Sequence, residues 1–499
     1  MIVLDDVKRS GEQEGQQHDR WIIHGNIVVP TGNPFTTQPQ ETKEGESLAL
    51  GPGVILKLNH ILTVGADGII TRLEPASIFF ERTMSNKSEI EEHDGYIMLN
   101  EHEFVCPGLI DLHIHAPQYA FAGTATDRPL MGSNGWLETY TFPTEESFRD
   151  LSFARQVYTG VVTKTLQMGT TTALYFATLD LEPTKLLVDI ALQFGQRALV
   201  GKVCMDRNSP ETYCHSLDQN LQDTRKLIDY IGNHPAQPST APPLVLPVIT
   251  PRFIPTCSPE LLQGLAAIAR EHNNCHITSH ISESIDEVEF SRQLDMEDHD
   301  TAGRSDAQVF HSHGLLTDKC VMAHGVHLSD ADLSLMKEKG SSIAHCPLSN
   351  FFFAGGCLRC RKIMEKGVKM GLGTDMAAGY SPSVMDSARN TVVASLSLQQ
   401  QQEPSCESQH TLDYLHSFYL ATLGGAEALG LEDKIGTFRV GMEFDAFILS
   451  GSNSSSSPVD IYPTRDTLAD IFQKLCILGD DRNVSRVFVQ GRQVVPLNK

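Results

Sequence analysis

Apolar runs alternate with amphipathic segments through the middle of this 499-residue chain. Eight of the runs read as buried strands, and most are separated by helix-like segments such as 260–271 and 328–339. This alternation favours parallel strands joined by crossover helices, so eight such units predict a (β/α)8 barrel. An active site is then expected at the carboxyl ends of the strands. The predicted strands are 104–115, 171–177, 198–205, 244–252, 276–280, 320–324, 342–346 and 367–373.

The two ends of the chain follow a different pattern, in which short β-like runs are separated by Gly, Pro and polar turns. Terminal β-rich segments that flank a barrel predict one small β-sandwich built from both ends. We therefore predict an α/β protein in which residues 1–106 and 436–499 form the small β domain and residues 107–435 form the barrel. Two low-complexity tracts, 399–402 and 454–457, read as exposed loops.

Composition excludes several classes of partner. Acidic residues outnumber basic residues 62 to 39, which gives a formal net charge of −23. A field of this sign repels polyanions, so we expect neither nucleic acid nor an anionic membrane as a partner. The eleven cysteines have no regular spacing, and the chain starts with a polar segment that lacks an apolar signal-like core. These features favour a cytoplasmic protein with reduced thiols.

The first predicted barrel strand ends on two histidines, His113 and His115. Side chains on a strand alternate between its faces, so residues two apart point in the same direction. Two imidazoles that project together from the end of a core strand are a natural pair of ligands for a divalent metal.

Three further predicted strands end on residues with metal-binding or proton-transfer chemistry. The fifth strand ends on His280, with Glu283 three residues later, the sixth ends on His324, and Asp375 follows the eighth. One histidine at a strand end is more often structural than a ligand. Several such residues at the functional ends of four strands indicate one active site.

The motifs around these residues resemble the amidohydrolase superfamily of metal-dependent barrel hydrolases, and within it the guanine deaminase family. The resemblance extends from about residue 50 to the end of the chain. The HxH motif at 113–115 is shared by the whole superfamily. The HAPQ motif at 115–118 and the PRF motif at 251–253 narrow the resemblance to deaminases that act on guanine. The other matching motifs are WLETYTFP at 136–143, SHISE at 279–283, AHG at 323–325, HCP at 345–347, GLGTD at 371–375, ATLGG at 421–425 and LGDDRN at 478–483.

The residue types favour zinc as the cofactor. Neutral imidazoles and a carboxylate suit Zn²⁺, with one position left for water. We predict one Zn²⁺ per chain, held by His113, His115, His280 and Asp375, and this set matches the family pattern of three histidines and an aspartate. Zinc lowers the pKa of bound water from ~15.7 towards ~7.

Three residues are predicted to be catalytic. Glu283 would take the proton of the attacking water and transfer it to a ring nitrogen. Asp375 can also accept a proton, and the resemblance implies that His324 orients the nucleophile or the leaving amine. Without its neighbours, Glu283 would read as a solvated carboxylate at a helix start.

Substrate recognition is expected from Gln118, Arg252 and Phe253, next to the metal-site residues His115, His280, Glu283 and Asp375. A guanidinium presents paired donors that match O6 and N7 of guanine, and Gln118 supplies a donor and an acceptor for the remaining ring edge. The aromatic residues Trp136, Tyr140 and Phe142 would either exclude water from the site or pack in the core.

The resemblance implies hydrolytic deamination of guanine to xanthine and ammonia by a homodimer. Two alternatives stay open at this point. The barrel could act on another heterocycle with the same metal ligands, or it could be a catalytically silent scaffold. The complete set of predicted ligands, together with Glu283, argues against the scaffold. No role is predicted for residues 1–50.

Overall fold

The structure is a computed structural model that describes residues 19–38, 45–83, 87–124, 127–132, 134–239, 241–299, 303–401, 409–451 and 456–496. The first predicted loop was wrong at residues 399–401, which continue the helix Val384–Gln401, and residue 402 and residues 454–455 lie outside the described residues. The strands are β1 Trp21–Pro30, β2 Ser47–Gly51, β3 Val54–Val64, β4 Ile70–Pro75, β5 Tyr96–Met98, β6 Glu103–Pro107, β7 Leu109–His115, β8 Thr170–Phe176, β9 Arg197–Gly201, β10 Val203–Cys204, β11 Val245–Pro251, β12 His276–Ile281, β13 Cys320–His324, β14 Ser342–His345, β15 Lys369–Leu372, β16 Ala446–Ser450, β17 Val484–Val489 and β18 Arg492–Val495.

The predicted barrel is confirmed. Its parallel sheet has the order β7-β8-β9-β11-β12-β13-β14-β15, with β10 paired to β11. The sheet closes between β15 and β7 through the turn that follows β15. There the backbone N–H of Thr374 donates to Oδ1 of Asp111 at 3.0 Å, and the backbone N–H of Asp375 donates to the carbonyl of His113 at 2.8 Å. The last strand therefore brings its carboxylate next to the first strand's histidines.

Helices surround the barrel, as the alternating pattern predicts. In α7, Ser258 caps the first turn by accepting a hydrogen bond from the backbone N–H of Leu261, and Pro259 occupies the first helical position. Its buried face carries Leu261, Leu265 and Ile268. Among the described residues, no helix combines the length and the apolarity needed to cross a membrane.

The helices are α1 Ala76–Thr83, α2 Lys87–Glu91, α3 Phe142–Glu146, α4 Leu151–Gln167, α5 Leu181–Phe194, α6 Leu217–Gly232, α7 Pro259–Glu271, α8 Ile285–His299, α9 Asp306–Ser312, α10 Asp330–Lys339, α11 Pro347–Ser349, α12 Cys360–Lys366, α13 Val384–Gln401, α14 Tyr414–Ala421, α15 Leu423–Leu429 and α16 Leu468–Leu478.

The second sheet contains strands from both ends of the chain. These strands are connected in the order β18-β17-β16-β6-β1-β3-β2, with β4 paired to β3 and β5 paired to β1. Strand β6 joins the two ends because it pairs with β1 on one side and, antiparallel, with β16 on the other. We propose that the two sheets correspond to the two predicted domains.

The predicted strand 104–115 was wrong as a single element. Residues up to Pro107 belong to β6 in the small sheet, and residues from Leu109 belong to β7 in the barrel. The crossing point is Gly108, where a Cβ would lie 2.0 Å from Oγ1 of Thr171, so only glycine fits. Both sheets bury this segment, and the apolar pattern is therefore continuous across the boundary.

The predicted strand 198–205 is likewise interrupted. Residues Arg197–Gly201 form β9 and Val203–Cys204 form β10, with Lys202 between them. The buried Nζ of Lys202 donates to the side chain of Asn220 in α6 and to the carbonyl of Val203.

An ion cluster fastens the small domain to the amino-terminal end of the barrel. Arg197, the first residue of β9, donates from Nε to Asp445 at 2.8 Å and from Nη2 to Glu443 at 2.7 Å. All three side chains are buried. Burying charged groups costs free energy. Once they are buried together, removing one partner is strongly destabilising because it leaves the other charge without a counter-ion.

Candidate metal and substrate site

Three histidines and an aspartate converge at the carboxyl ends of the barrel strands. His113 and His115 come from β7, His280 from β12, and Asp375 follows β15. Nε2 of His113 lies 3.2 Å from Oδ1 of Asp375, and Nε2 of His115 lies 3.6 Å from the same oxygen. One ligand atom from each of the four residues lies within 4.8 Å of all the others.

This donor set fits a divalent ion. Nδ1 of His280 lies 2.7 Å from the carbonyl oxygen of Arg252, which fixes the proton on Nδ1 and leaves a lone pair on Nε2. That lone pair faces Nε2 of His115 at 3.0 Å. Ligand atoms that share a tetrahedral ion at about 2.0–2.2 Å are roughly 3.3–3.6 Å apart, and the three distances of 3.0, 3.2 and 3.6 Å are close to this range.

The surroundings of the three histidines favour the neutral form of each imidazole. His113 and His115 are buried, His280 is nearly so, and burial lowers the pKa of all three imidazoles. Neutral imidazoles keep a lone pair available, which is the state a metal requires.

Asp111 was missed by the sequence analysis, although it positions two of the predicted ligands. Its carboxylate accepts hydrogen bonds from the backbone N–H of His113, from the backbone N–H of Thr374 and from the hydroxyl of Thr374 at 2.6 Å. These bonds tie the end of β7 to the turn that carries Asp375. A carboxylate within a fully buried strand was the available signal.

Glu283 and His324 lie beside the four ligand atoms. Oε1 of Glu283 is 3.5 Å from Nδ1 of His324 and accepts a hydrogen bond from the hydroxyl of Ser349. His324 also contacts Oδ1 of Asn350 through Nδ1 at 3.0 Å, and its Nε2 lies 3.7 Å from Oδ2 of Asp375. Burial raises the pKa of the Glu283 carboxyl to about 7. This group can therefore both accept and donate a proton near neutral pH.

Three residues at the same end of the barrel have left-handed backbone conformations. Ser282, His324 and Asp375 have φ values of 46°, 71° and 48°. Left-handed conformations of non-glycine residues cost of order 1–3 kcal/mol each and persist where the surrounding structure imposes them. Here they follow or end β12, β13 and β15, where the site residues project.

A pocket of about 360 Å³ opens beside the four ligand atoms. It brings together all the predicted substrate-binding residues, whereas His113 and His324 lie in the surrounding cluster. The lining residues are His115, Gln118, Leu130, Trp136, Leu137, Arg252, Phe253, His280, Glu283, Asp375 and Ala378.

The predicted arginine has an internal partner that the sequence did not reveal. Nη1 and Nη2 of Arg252 donate to the two carboxylate oxygens of Glu145 at 2.7 and 3.2 Å. Two of its five N–H groups are therefore already engaged. Glu145 lies in α3, 107 residues before Arg252, and no local motif indicates this pairing.

The three aromatic residues have different positions. Trp136 lines the pocket. Phe142 is buried, and its ring centroid lies 5.1 Å from Cζ of Arg252, so it packs against the guanidinium. Tyr140 donates instead to Asp127 and is only partly buried.

The comparisons with known proteins agree with this architecture. A profile of the Amidohydrolase family matches residues 104–494, which is most of the chain. The protein therefore belongs to the amidohydrolase family, whose members are metal-dependent.

Individual relatives narrow the likeness further. The chain is 43% identical to human guanine deaminase over 88% of this chain and 93% of that protein. It is 39% identical to the Dictyostelium discoideum guanine deaminase over 90% of this chain and 96% of the relative. The crystal structure of guanine deaminase from C. acetobutylicum with bound guanine superposes with a TM-score of 0.78 at 28% identity, covering 95% of this chain and 99% of that one.

Proposed function

We propose that this enzyme hydrolyses guanine to xanthine and ammonia. The observation that carries the proposal is its similarity to guanine deaminases over nearly the whole chain. The two motifs that narrowed the resemblance supply Gln118, Arg252 and Phe253, and all three line the pocket. A small-molecule substrate also suits a pocket that combines apolar walls with a few convergent polar groups.

The proposed cofactor is one Zn²⁺ held by His113, His115, His280 and Asp375. When bound, zinc would supply a hydroxide nucleophile at neutral pH and polarise the carbon under attack. The imidazole and carboxylate donors and their spacing support zinc over magnesium or calcium, which prefer all-oxygen sites.

In the proposed reaction, water adds to the guanine carbon that bears the exocyclic amine. Glu283 takes a proton from this water and delivers it to the adjacent ring nitrogen. A second proton passes to the amine, the carbon–nitrogen bond breaks, and ammonia leaves as the new carbonyl forms. Asp375 is the proposed acceptor for the second proton of the water, and His324 orients the reacting groups.

On the other side of the pocket, Arg252 and Gln118 would hold the ring edge that carries the acceptor atoms. Phe253 is buried, and its ring centroid is 6.2 Å from that of His280, so it forms an apolar wall close to the predicted ligands. Adenine has an amine where guanine has O6. It would place a donor against the donors of Arg252, at a cost of about 1–3 kcal/mol for each unpaired group.

The direct test is to incubate the purified protein with guanine, adenine, cytosine and guanosine, and to measure ammonia release and metal content. We expect ammonia and xanthine from guanine, little or no product from adenine and cytosine, exclusion of guanosine, and about one zinc per chain. A protein that prefers another heterocycle, or one that binds zinc without turnover, would contradict the guanine assignment.

The family resemblance also supports a homodimer. We further propose a cytoplasmic protein, and the net charge of −23 argues against a nucleic-acid or anionic membrane partner. Ten cysteines within the described residues are free thiols, which suits a reducing compartment. Light scattering coupled to size exclusion would measure the oligomeric state.

A further inference from the structure

Glu145 is a buried carboxylate that lies behind the substrate pocket rather than in its lining. It belongs to the short helix α3, in the connection between β7 and β8. Each of its oxygens accepts two hydrogen bonds. Oε1 binds Gln118 Nε2 at 3.0 Å and Arg252 Nη2 at 3.2 Å, whereas Oε2 binds Arg252 Nη1 at 2.7 Å and the Tyr213 hydroxyl at 3.0 Å.

This carboxylate neutralises the charge of Arg252 and fixes the orientation of its guanidinium. A bidentate pair holds the guanidinium in one plane, and Phe142 packs against it at 5.1 Å. The side chain of Arg252 is only 3% exposed, and that of Glu145 is 0% exposed. The ion pair therefore adds no net charge to the pocket wall, although it contains an arginine.

The same carboxylate fixes the amide of Gln118. The two ends of an amide are nearly equal in shape, so only hydrogen bonds determine which end is the donor. Nε2 of Gln118 donates to Glu145, and its Oε1 accepts from the backbone N–H of Ala377 at 3.3 Å. Within the part of the chain that the structure describes, the second N–H of the amide remains for a ligand, in a defined direction.

We propose that Glu145 is a positioning and specificity residue of this site. Its carboxylate fixes the guanidinium of Arg252 and the amide of Gln118 as one neutral recognition surface, so the pocket selects a neutral purine over an anionic one. This inference rests on the proposed guanine deaminase function. Without Glu145, Arg252 would present an unbalanced positive charge, and anionic purines would gain affinity relative to neutral ones.

The test compares the wild type with Glu145→Gln, Glu145→Asp, Arg252→Ala and the double variant Glu145→Gln/Arg252→Ala. The neighbouring Glu146→Gln is the matched control, because Glu146 contacts Arg149 and Thr212 instead of the pocket. We expect Glu145→Gln to raise the KM for guanine about tenfold or more and to change kcat much less, with metal content unchanged. Glu145→Asp keeps the charge and should restore part of the affinity, whereas Glu146→Gln should behave as wild type.

The double variant distinguishes positioning from general support of the fold. Because Glu145 acts largely through Arg252, Glu145→Gln should raise the KM for guanine less in the Arg252→Ala background than in the wild type, and the remaining effect is the part that passes through Gln118. Effects that multiply, or a loss of kcat as large as the change in KM, would overturn the proposal. If Glu145→Gln does not fold, the test rests on Glu145→Asp. A wild-type KM for guanine in Glu145→Asp would also overturn the proposal.

Inhibition by xanthine tests the charge argument. Xanthine ionises more readily than guanine because of its second oxo group. The ratio of guanine KM to xanthine Ki should therefore rise with pH more steeply in Glu145→Gln than in the wild type. Equal slopes would contradict selection by charge.

If the wild type does not deaminate guanine at all, the proposed function fails and this inference fails with it. If the wild type is active but the variants behave otherwise than expected, only the inference fails.

Discussion

Glu283 is a carboxyl group whose pKa is raised towards neutrality by burial. Its pKa is raised to about 7, mainly because the folded chain removes it from water. It lies 3.5 Å from the imidazole of His324 and accepts a hydrogen bond from Ser349. A group of this kind suits proton transfer in both directions, whereas an exposed glutamate would stay ionised.

The substitution Glu283→Gln preserves the shape of the side chain and removes its proton chemistry. We expect kcat to fall by about 10²–10⁴-fold with unchanged zinc content, since general acid–base catalysis contributes on that order. Steady-state kinetics and elemental analysis measure the two quantities. Glu289→Gln, on the exposed side of α8, is the control and should be fully active. Loss of zinc along with activity would make Glu283 a ligand or a structural support.

The pH profile tests the protonation state required of Glu283. If the carboxylate form must accept the water proton, activity falls as the pH drops through the pKa of this group. The acidic limb of kcat/KM should then lie at or below about 7, because a bound cation lowers the carboxyl pKa further. The limb should disappear in Glu283→Gln. An unchanged limb in that variant would assign it to another group.

Single residues were predictable from the sequence where their chemistry coincided with a strand end. His113, His115, His280, Glu283 and Asp375 follow that rule, and the structure brings them together. Glu145 and Asp111 do not follow it. Glu145 meets its partners only across the folded barrel, and Asp111 lies within an apolar strand, so neither has a distinctive local pattern.

At the scale of elements, the first residue of β9, Arg197, forms a buried ion cluster that links the barrel to the segment before β16. Arg197→Met would leave the carboxylates of Glu443 and Asp445 buried without their cation. We expect the free energy of unfolding to fall by about 3–5 kcal/mol, which denaturant titration would measure. Arg225→Met, which removes an exposed pair with Glu271, is the control and should cost about 1 kcal/mol or less. Equal losses in both variants would contradict a special role for the buried cluster.

Elements were predictable in number and order but not at every boundary. Eight barrel strands follow from the alternation of apolar runs and helices, and all eight exist. The run from 104 to 115 nevertheless contains two strands in two sheets. Hydrophobic periodicity reports burial, and it cannot report which sheet provides the partner.

At the scale of the whole molecule, the predicted zinc ligands connect residues far apart in the chain. An ion held by residues of β7, β12 and the segment after β15 should stabilise the barrel as a unit, since a ligand that binds only the folded state adds RT ln(1 + [L]/Kd). At a free metal concentration one hundred times Kd, this contributes about 2.7 kcal/mol. Chelation should therefore lower both activity and Tm, and added zinc should restore both.

The variant His113→Ala is the control for this experiment. It lacks one predicted ligand, so its Tm should respond much less to the chelator. Calorimetry with and without chelator would measure the difference. A chelator-dependent shift of the same size in the variant would show that the stabilising metal binds elsewhere.

The pairing of β6 with β16 has a consequence for the newly made polypeptide. The two strands are separated by about 340 residues, although they lie side by side in the sheet. At about 5–20 residues per second, a ribosome needs roughly 17–70 seconds to travel that distance. During this interval, β6 has β1 as a neighbour and an open hydrogen-bonding edge on its other side. Such edges invite aggregation, so the nascent chain depends on early barrel folding or on a chaperone until its last strands emerge.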